Sequence, residues 1–314
     1  MEYPIDDARD ASFFKVSTFS KYQKTKVKEQ WLEALKSGDR EAACYWTTEM
    51  VCSGQFVDLW DLILHFYGKF VNLGNPKLAL YLDCRFQVFR TSAEGIKDEL
   101  ELRNKLVVRQ LFAEIVGVLC LSAKRPGTDQ VKVKKEELNL MEATAPFKAP
   151  NSNYAKPFFK EQDPVEVYAP LNEMCFALSG KQTLRACYWI EWILLFERAK
   201  KPAPRCASRG YVASKKNDGD LIWMIWEILI AYVAEGLPHK IANATFNLFR
   251  LHYSPSANER RRFLLYYMVT LCCDPFDAET PIVSDKAALE EVVKQCNTFY
   301  RDIRKHSIRI KTDG

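Results

Sequence analysis

The chain has 314 residues, 48% of them hydrophobic and 27% charged, a balance that excludes a disordered polymer and leaves room for two domains or one large one. Its formal net charge of +5 permits contact with an acidic partner but falls short of the basic stripe of a dedicated nucleic-acid binder. A total of only 12 glycines argues against an α/β nucleotide-binding enzyme, whose tight turns and phosphate loops draw on glycine, and favours helices.

Residues 1–21 are polar and aperiodic and read as an extended N-terminal arm. A helical module then spans 22–122. Its first helix, Lys24 to Lys36, carries Val27, Trp31, Leu32 and Leu35 at helical spacing and is stopped by Gly38. A second runs from about Asp39 to Ser53, closed by Gly54, and a third from Asp58 to Tyr67. Asn75-Pro76, a cap followed by proline at a first helical position, starts a fourth helix that reaches Phe89. The fifth follows Asn104 and ends near Leu121. Residues 123–162 form an irregular connector rich in proline, with Val131-Lys132-Val133 as a short extended piece. Helical spacing returns at Asp163-Pro164 and fills a second module over 163–275. Its helices run from Pro164 to Leu178, from Lys181 to Ala199, from Asp220, from Pro238, and from Asn258 to Cys273, with an insertion at 200–219. Residues 276–314 hold a last helix, Lys286 to Arg304, and a basic tail. The expected fold is all-α: a tandem duplication of a roughly five-helix module plus a C-terminal helix.

The duplication is most visible in one string. Ala43-Cys44-Tyr45-Trp46 returns as Ala186-Cys187-Tyr188-Trp189, each after a Ser-Gly step, with Glu49 behind the first copy and Glu191 one place closer behind the second. Small residues beside aromatic ones on a helix suit close packing against a neighbour, so Cys44, Tyr45, Trp46, Cys187, Tyr188 and Trp189 are expected to form a core motif and not a duplicated nucleophile. Glu49, Glu191 and Glu114 lie among apolar helical neighbours, where each is expected to cap an apolar face or pair with an arginine such as Arg109 or Arg262.

Signatures of chemistry are missing from the sequence. The four histidines form no His-x-x-x-His pair, the ten cysteines no Cys-x-x-Cys, and no Walker loop, Gly-x-Gly-x-x-Gly or Gly-x-Ser-x-Gly elbow occurs. Neither a cofactor nor a metal is expected, and the chain reads as a non-enzyme. An acidic N-terminus unlike a secretory signal, with cysteines in apolar helical stretches, suggests reduced thiols in an intracellular setting; no membrane span is expected. Candidate interaction residues are the basic clusters: Lys200, Lys201 and Arg205; Arg260, Arg261 and Arg262; and Arg301, Arg304, Lys305 and Arg309 with Lys311. They could line a phosphate-binding face or dock an acidic protein surface, the nucleic-acid reading being the less favoured.

Several strings carry a resemblance. Ser17-Thr18-Phe19-Ser20, Ala43-Cys44-Tyr45-Trp46 with Cys52-Ser53-Gly54, Asn75-Pro76-Lys77-Leu78, Leu111-Phe112-Ala113-Glu114-Ile115 and Ala186-Cys187-Tyr188-Trp189-Ile190-Glu191-Trp192 resemble a poorly characterised family of large nucleocytoplasmic DNA viruses, those of algae included. That resemblance, over about residues 17–275, implies a protein of the virion and of the infected host cytoplasm. Its implied role is a minor capsid component that bridges or braces capsid units, with major or minor capsid proteins as partners. A weaker likeness to the collar helices of sliding-clamp loaders, in Leu35-Lys36-Ser37-Gly38-Asp39-Arg40-Glu41-Ala42 and the helix over 105–121, implies the alternative of a replication or transcription adaptor binding a polymerase or clamp-loader partner and DNA.

Overall fold

The computed structural model describes residues 3–139 and 147–308. Twelve α-helices follow one another among these residues: α1 (Lys24–Ser37), α2 (Arg40–Cys52), α3 (Phe56–Phe66), α4 (Leu78–Ala93), α5 (Leu106–Leu121), α6 (Tyr168–Ser179), α7 (Thr183–Ala199), α8 (Ile222–Tyr232), α9 (Leu237–Phe249), α10 (Ala257–Arg260), α11 (Arg262–Cys273) and α12 (Lys286–Ile303). The fold is all-α, and the one β feature among the described residues is an isolated bridge between Ser17 and Gln23. The boundaries follow local chemistry. Gly38 ends α1 in the left-handed conformation at φ 79°, its N–H returning to the Ala34 carbonyl, and the Asp39 side chain then caps α2 by accepting from the Ala42 N–H. Asp285 caps α12 in the same manner through Ala288. The helix expected from Asn258 to Cys273 is instead two, α10 and α11, broken at Arg261.

The chain divides into two compact units that do not follow the boundaries of the expected modules: Met1–Tyr67, Tyr81–Lys124 and Thr280–Gly314 form the first, Gly68–Leu80 and Arg125–Glu279 the second. In the first unit α2 is central and packs on α1, α5 and α12. Ala43 and Cys44 are fully buried, the Cys44 thiol lies 3.6 Å from the Val292 carbonyl, and the Thr48 hydroxyl reaches the Cys296 carbonyl at 3.3 Å. Gly117 of α5 admits α12 equally closely, because a β-carbon there would stand 2.5 Å from Leu289 Cδ1. The C-terminal helix is thus part of this core, seated where three small residues let backbones approach. Trp46 corrects the expectation for the first copy of the repeated string: it is only half-buried, edge-on to Tyr22 at 5.3 Å and to Tyr45 at 4.9 Å.

Residues 3–21, in the segment read as an extended arm, form a strap bound to the first unit. Ile5, Phe14 and Phe19 are buried, and the Arg9 guanidinium lies 4.4 Å from the Phe19 ring centre while pairing with Asp7 at 2.8 Å. The physical reason is Glu49. Its buried carboxylate accepts from the Ser20 N–H at 2.6 Å and the Ser20 hydroxyl at 2.8 Å, which ties the strap to α2. Glu49 is therefore paired with backbone and hydroxyl, whereas Arg109 turns to the Tyr300 ring at 4.0 Å and the Arg103 carbonyl at 2.7 Å.

In the second unit α11 packs on α7, α8 and α9, and α6 lies along α7. Trp189, Trp192, Trp223 and Trp226 are fully buried and supply much of the core volume. The connector is stitched down as well. The Trp192 indole donates to the Glu137 carbonyl at 2.7 Å, Tyr188 donates to the Glu137 carboxylate at 2.9 Å, and buried Glu173 accepts from the Lys148 and Ala149 N–H groups. Val131 to Val133 form no strand; the Val131 N–H is held by the Tyr266 hydroxyl at 3.1 Å.

Candidate functional site

The site grows from the last turn of α7. After Phe196 the helix presents Glu197 and Arg198 and ends at Ala199, and the chain enters the insertion through Lys200, Lys201 and Ala203 to Arg205. The insertion returns where the Cys206 N–H meets the Gly219 carbonyl at 2.8 Å, which delivers Asp220 immediately before α8. Its outer loop is fixed by Arg209, a side chain only 1% exposed, bound to Asp163 through two nitrogens and to Glu227 at 3.0 Å. Between these segments and Pro255 to Glu259 of the α9–α11 connection lies a cavity of about 450 Å³. Leu194, Ala203 and Pro255 give it apolar wall, and Arg262 closes one side.

Its electrostatics are mixed. Glu197 accepts from the Leu221 N–H at 2.7 Å; burial, aided by the Asp220 charge, pushes its carboxyl up to about 7 against the pull of that N–H and of Arg205. Asp220 is also raised, by burial, in spite of its ion pair with Arg205 and the Tyr253 hydroxyl at 3.1 Å. At the rim Lys200 and Lys201 are exposed, Lys200 standing 5.3 Å over the Phe196 ring. Arg198 is matched by exposed Glu259.

Each basic cluster read from sequence resolves differently. Lys200, Lys201 and Arg205 line the cavity, and Arg262 joins them from a run some sixty residues later in the chain. Arg260, Arg261 and Arg262 do not form one face, and this corrects the sequence reading. Successive helical residues point about 100° apart, and the break at Arg261 separates them further. Arg261 is buried and donates to the Phe249 and Leu251 carbonyls at 2.6 Å, a clamp on the end of α9. Arg262 pairs with Glu191 at 2.5 Å, as the sequence suggested, with the Tyr266 hydroxyl on the same oxygen at 2.9 Å. Arg260 bonds Ser256 at 2.7 Å, one turn back. Arg301, Arg304 and Lys305 belong to the first unit. There Arg301 and Lys305 share Asp302, and Arg304 lies 5.6 Å from the Tyr3 ring beside a second, polar cavity with Pro4, Asp6 and Ser307. Arg309 and Lys311 fall outside the described residues.

Sequence reasoning missed Glu197, Asp220, Tyr253 and Asn258 as members of one constellation. The signal for Glu197 was an acid directly after Phe196 in an apolar helix; nothing local pointed from it to Asp220, because the insertion separates the two. Among the thiols, Cys187 is buried and raised well above its ordinary value by burial, with the Glu191 charge adding to it. Among the described residues no group of three or more His, Cys, Asp or Glu side chains is placed to hold a metal ion, and no helix is long and apolar enough to cross a membrane. Compared with protein-family models, curated proteins and solved structures, the chain matches none.

Proposed function

We propose that the chain is a non-enzymatic helical structural protein, a minor capsid component of a large DNA virus, that docks an acidic surface of a neighbouring structural protein at the cation-rimmed cavity. The observation that carries this reading is the convergence of residues 198–205 and 255–262, distant in sequence, on one cavity whose exposed lysines are Lys200 and Lys201. A face that tracks a phosphate backbone needs a run of open cations. Here Glu259, Asp220 and Glu191 engage Arg198, Arg205 and Arg262, an interleaving of signs that suits complementary docking of a protein surface. The thiols support the non-enzymatic part: a Cys187 sulfur held protonated by burial is a poor nucleophile. We also read α1–α5 and α6–α11 as descended from one module, since the repeated string falls on the second helix of each series.

Two measurements test the reading. Mass spectrometry of purified virions is expected to find the chain at structural copy number; its absence from particles overturns the capsid role. Binding of the full chain to an immobilised capped oligo-aspartate peptide is expected, with loss in a Lys200→Glu, Lys201→Glu double variant. Retention of duplex DNA instead, falling steeply with salt and lost on Arg260→Glu, would replace docking with the adaptor role.

A further inference from the structure

The docking cavity contains one group that a purely electrostatic rim does not need. Glu197 sits in its wall with Oε1 held by the Leu221 N–H, while Oε2 has no protein partner among the described residues. Resting on the docking reading above, we infer that the cavity admits one carboxylate of an acidic peptide and that Glu197 meets it as a neutral, hydrogen-bond-donating acid, so that docking takes up a proton.

The charges around Glu197 support that geometry from every side. On its own helix the neighbour is Arg198, drawn toward Glu259. From the insertion come Lys200, Lys201 and Arg205, the last turned to Asp220. Asp220, Tyr253 and Asn258 form one hydrogen-bonded chain, with the Tyr253 hydroxyl 3.1 Å from each of the other two. Arg262 stands at the remaining edge, committed to Glu191. An incoming carboxylate therefore finds Lys200 and Lys201 to offset its charge and, at the wall, a carboxyl group. Two ionised carboxylates at that spot would repel in a partly dehydrated setting, whereas an acid–carboxylate pair shares the proton in a short charge-assisted hydrogen bond. The protein is suited to the second arrangement, because burial beside Asp220 already holds the Glu197 carboxyl up at about 7.

The test is the affinity of the full chain for a capped oligo-aspartate peptide, whose own carboxylates stay ionised well above about pH 5. One required proton on a group titrating at about 7 makes wild-type binding about tenfold tighter at about pH 6 than at about pH 8. Glu197→Gln keeps an acceptor for Leu221 and an N–H donor for the peptide while removing the titration; its affinity is expected to stay nearly level across the same range, which separates Glu197 from the histidines. Equal wild-type affinity at both values overturns the inference and leaves the docking reading standing, as does a Glu197→Gln variant that keeps the tenfold change. Failure of the wild type to bind at either value overturns the docking reading and the inference with it.

Discussion

The two Ala-Cys-Tyr-Trp copies share four letters and little else. In α2 the small pair does the packing: Ala43 and Cys44 are fully buried, Cys44 against α12, while Trp46 stays half-buried at an aromatic surface with Tyr22, Tyr45 and Phe299. In α7 the large residue is buried instead: Trp189 is fully enclosed, stacked on Phe147 at 5.7 Å and beside Trp192 at 6.2 Å. The acids diverge in the same manner. Glu49 lies five residues after Cys44 and Glu191 four after Cys187, a difference of about 100° around the helix. Glu49 consequently meets the strap at Ser20, and Glu191 meets Arg262 and Tyr266. A repeated string thus specifies helix and approximate burial, while its neighbours decide which letter is core.

The strongest way to break this comparison is to truncate both tryptophans. Trp189→Ala is expected to cost about 3 to 5 kcal/mol in urea unfolding, and Trp46→Ala about 1 to 2 kcal/mol, since its ring is already partly in water. Equal losses would mean that the two copies are equivalent after all. Replacing the acids sharpens it next. Glu191→Ala leaves Arg262 without its partner in a largely buried position and should cost about 3 kcal/mol. Glu49→Ala should cost about 1 to 2 kcal/mol and, unlike Glu191→Ala, make the strap before Lys24 sensitive to limited proteolysis.

A third expectation concerns the C-terminal end of α7. Burial holds the Glu197 carboxyl up at about 7, above the ordinary glutamate value of about 4.5, so between these values the folded chain holds a proton that the unfolded chain has released. Stability from this group is therefore lost as pH rises through that window, and Glu197→Gln should relieve the loss, by about 3 kcal/mol at about pH 8 and by less than about 1 kcal/mol at about pH 5. Chemical denaturation at both values checks it; a pH-independent difference would contradict the assignment. Smallest in effect is thiol chemistry. Exposed Cys84 should react with a thiol reagent in the native protein, whereas Cys187 should react only on unfolding.

Much of the helix inventory was legible because helices announce themselves locally. Gly38 with Asp39 separates α1 from α2, and apolar residues at helical spacing mark α1 through α5. The Arg262–Glu191 pair was legible too, as an acid set among apolar helical neighbours for which Arg262 was one of the arginines on offer. The cavity was not. Lys200, Lys201 and Arg205 could be named as a basic cluster, yet Asp220 joins it only through the turn-back of the insertion at Cys206 and Gly219, and Arg262 only through the packing of α11 on α7. Composition was also blind to the strap, whose few apolar residues Ile5, Phe14 and Phe19 carry no period because an irregular segment has none.

The sequence by itself determined an all-α protein, where most of its helices begin and end, and which residues are basic. These follow from capping chemistry and the 3.6-residue period, interactions that span a few residues. Tertiary structure alone decided that Arg261 clamps a helix end while Arg262 faces a cavity, that Trp46 stays near water, and that Glu197 keeps its proton close to neutrality. Burial and ion pairing are properties of neighbours brought together across long stretches of chain, and no local pattern encodes which neighbours those are.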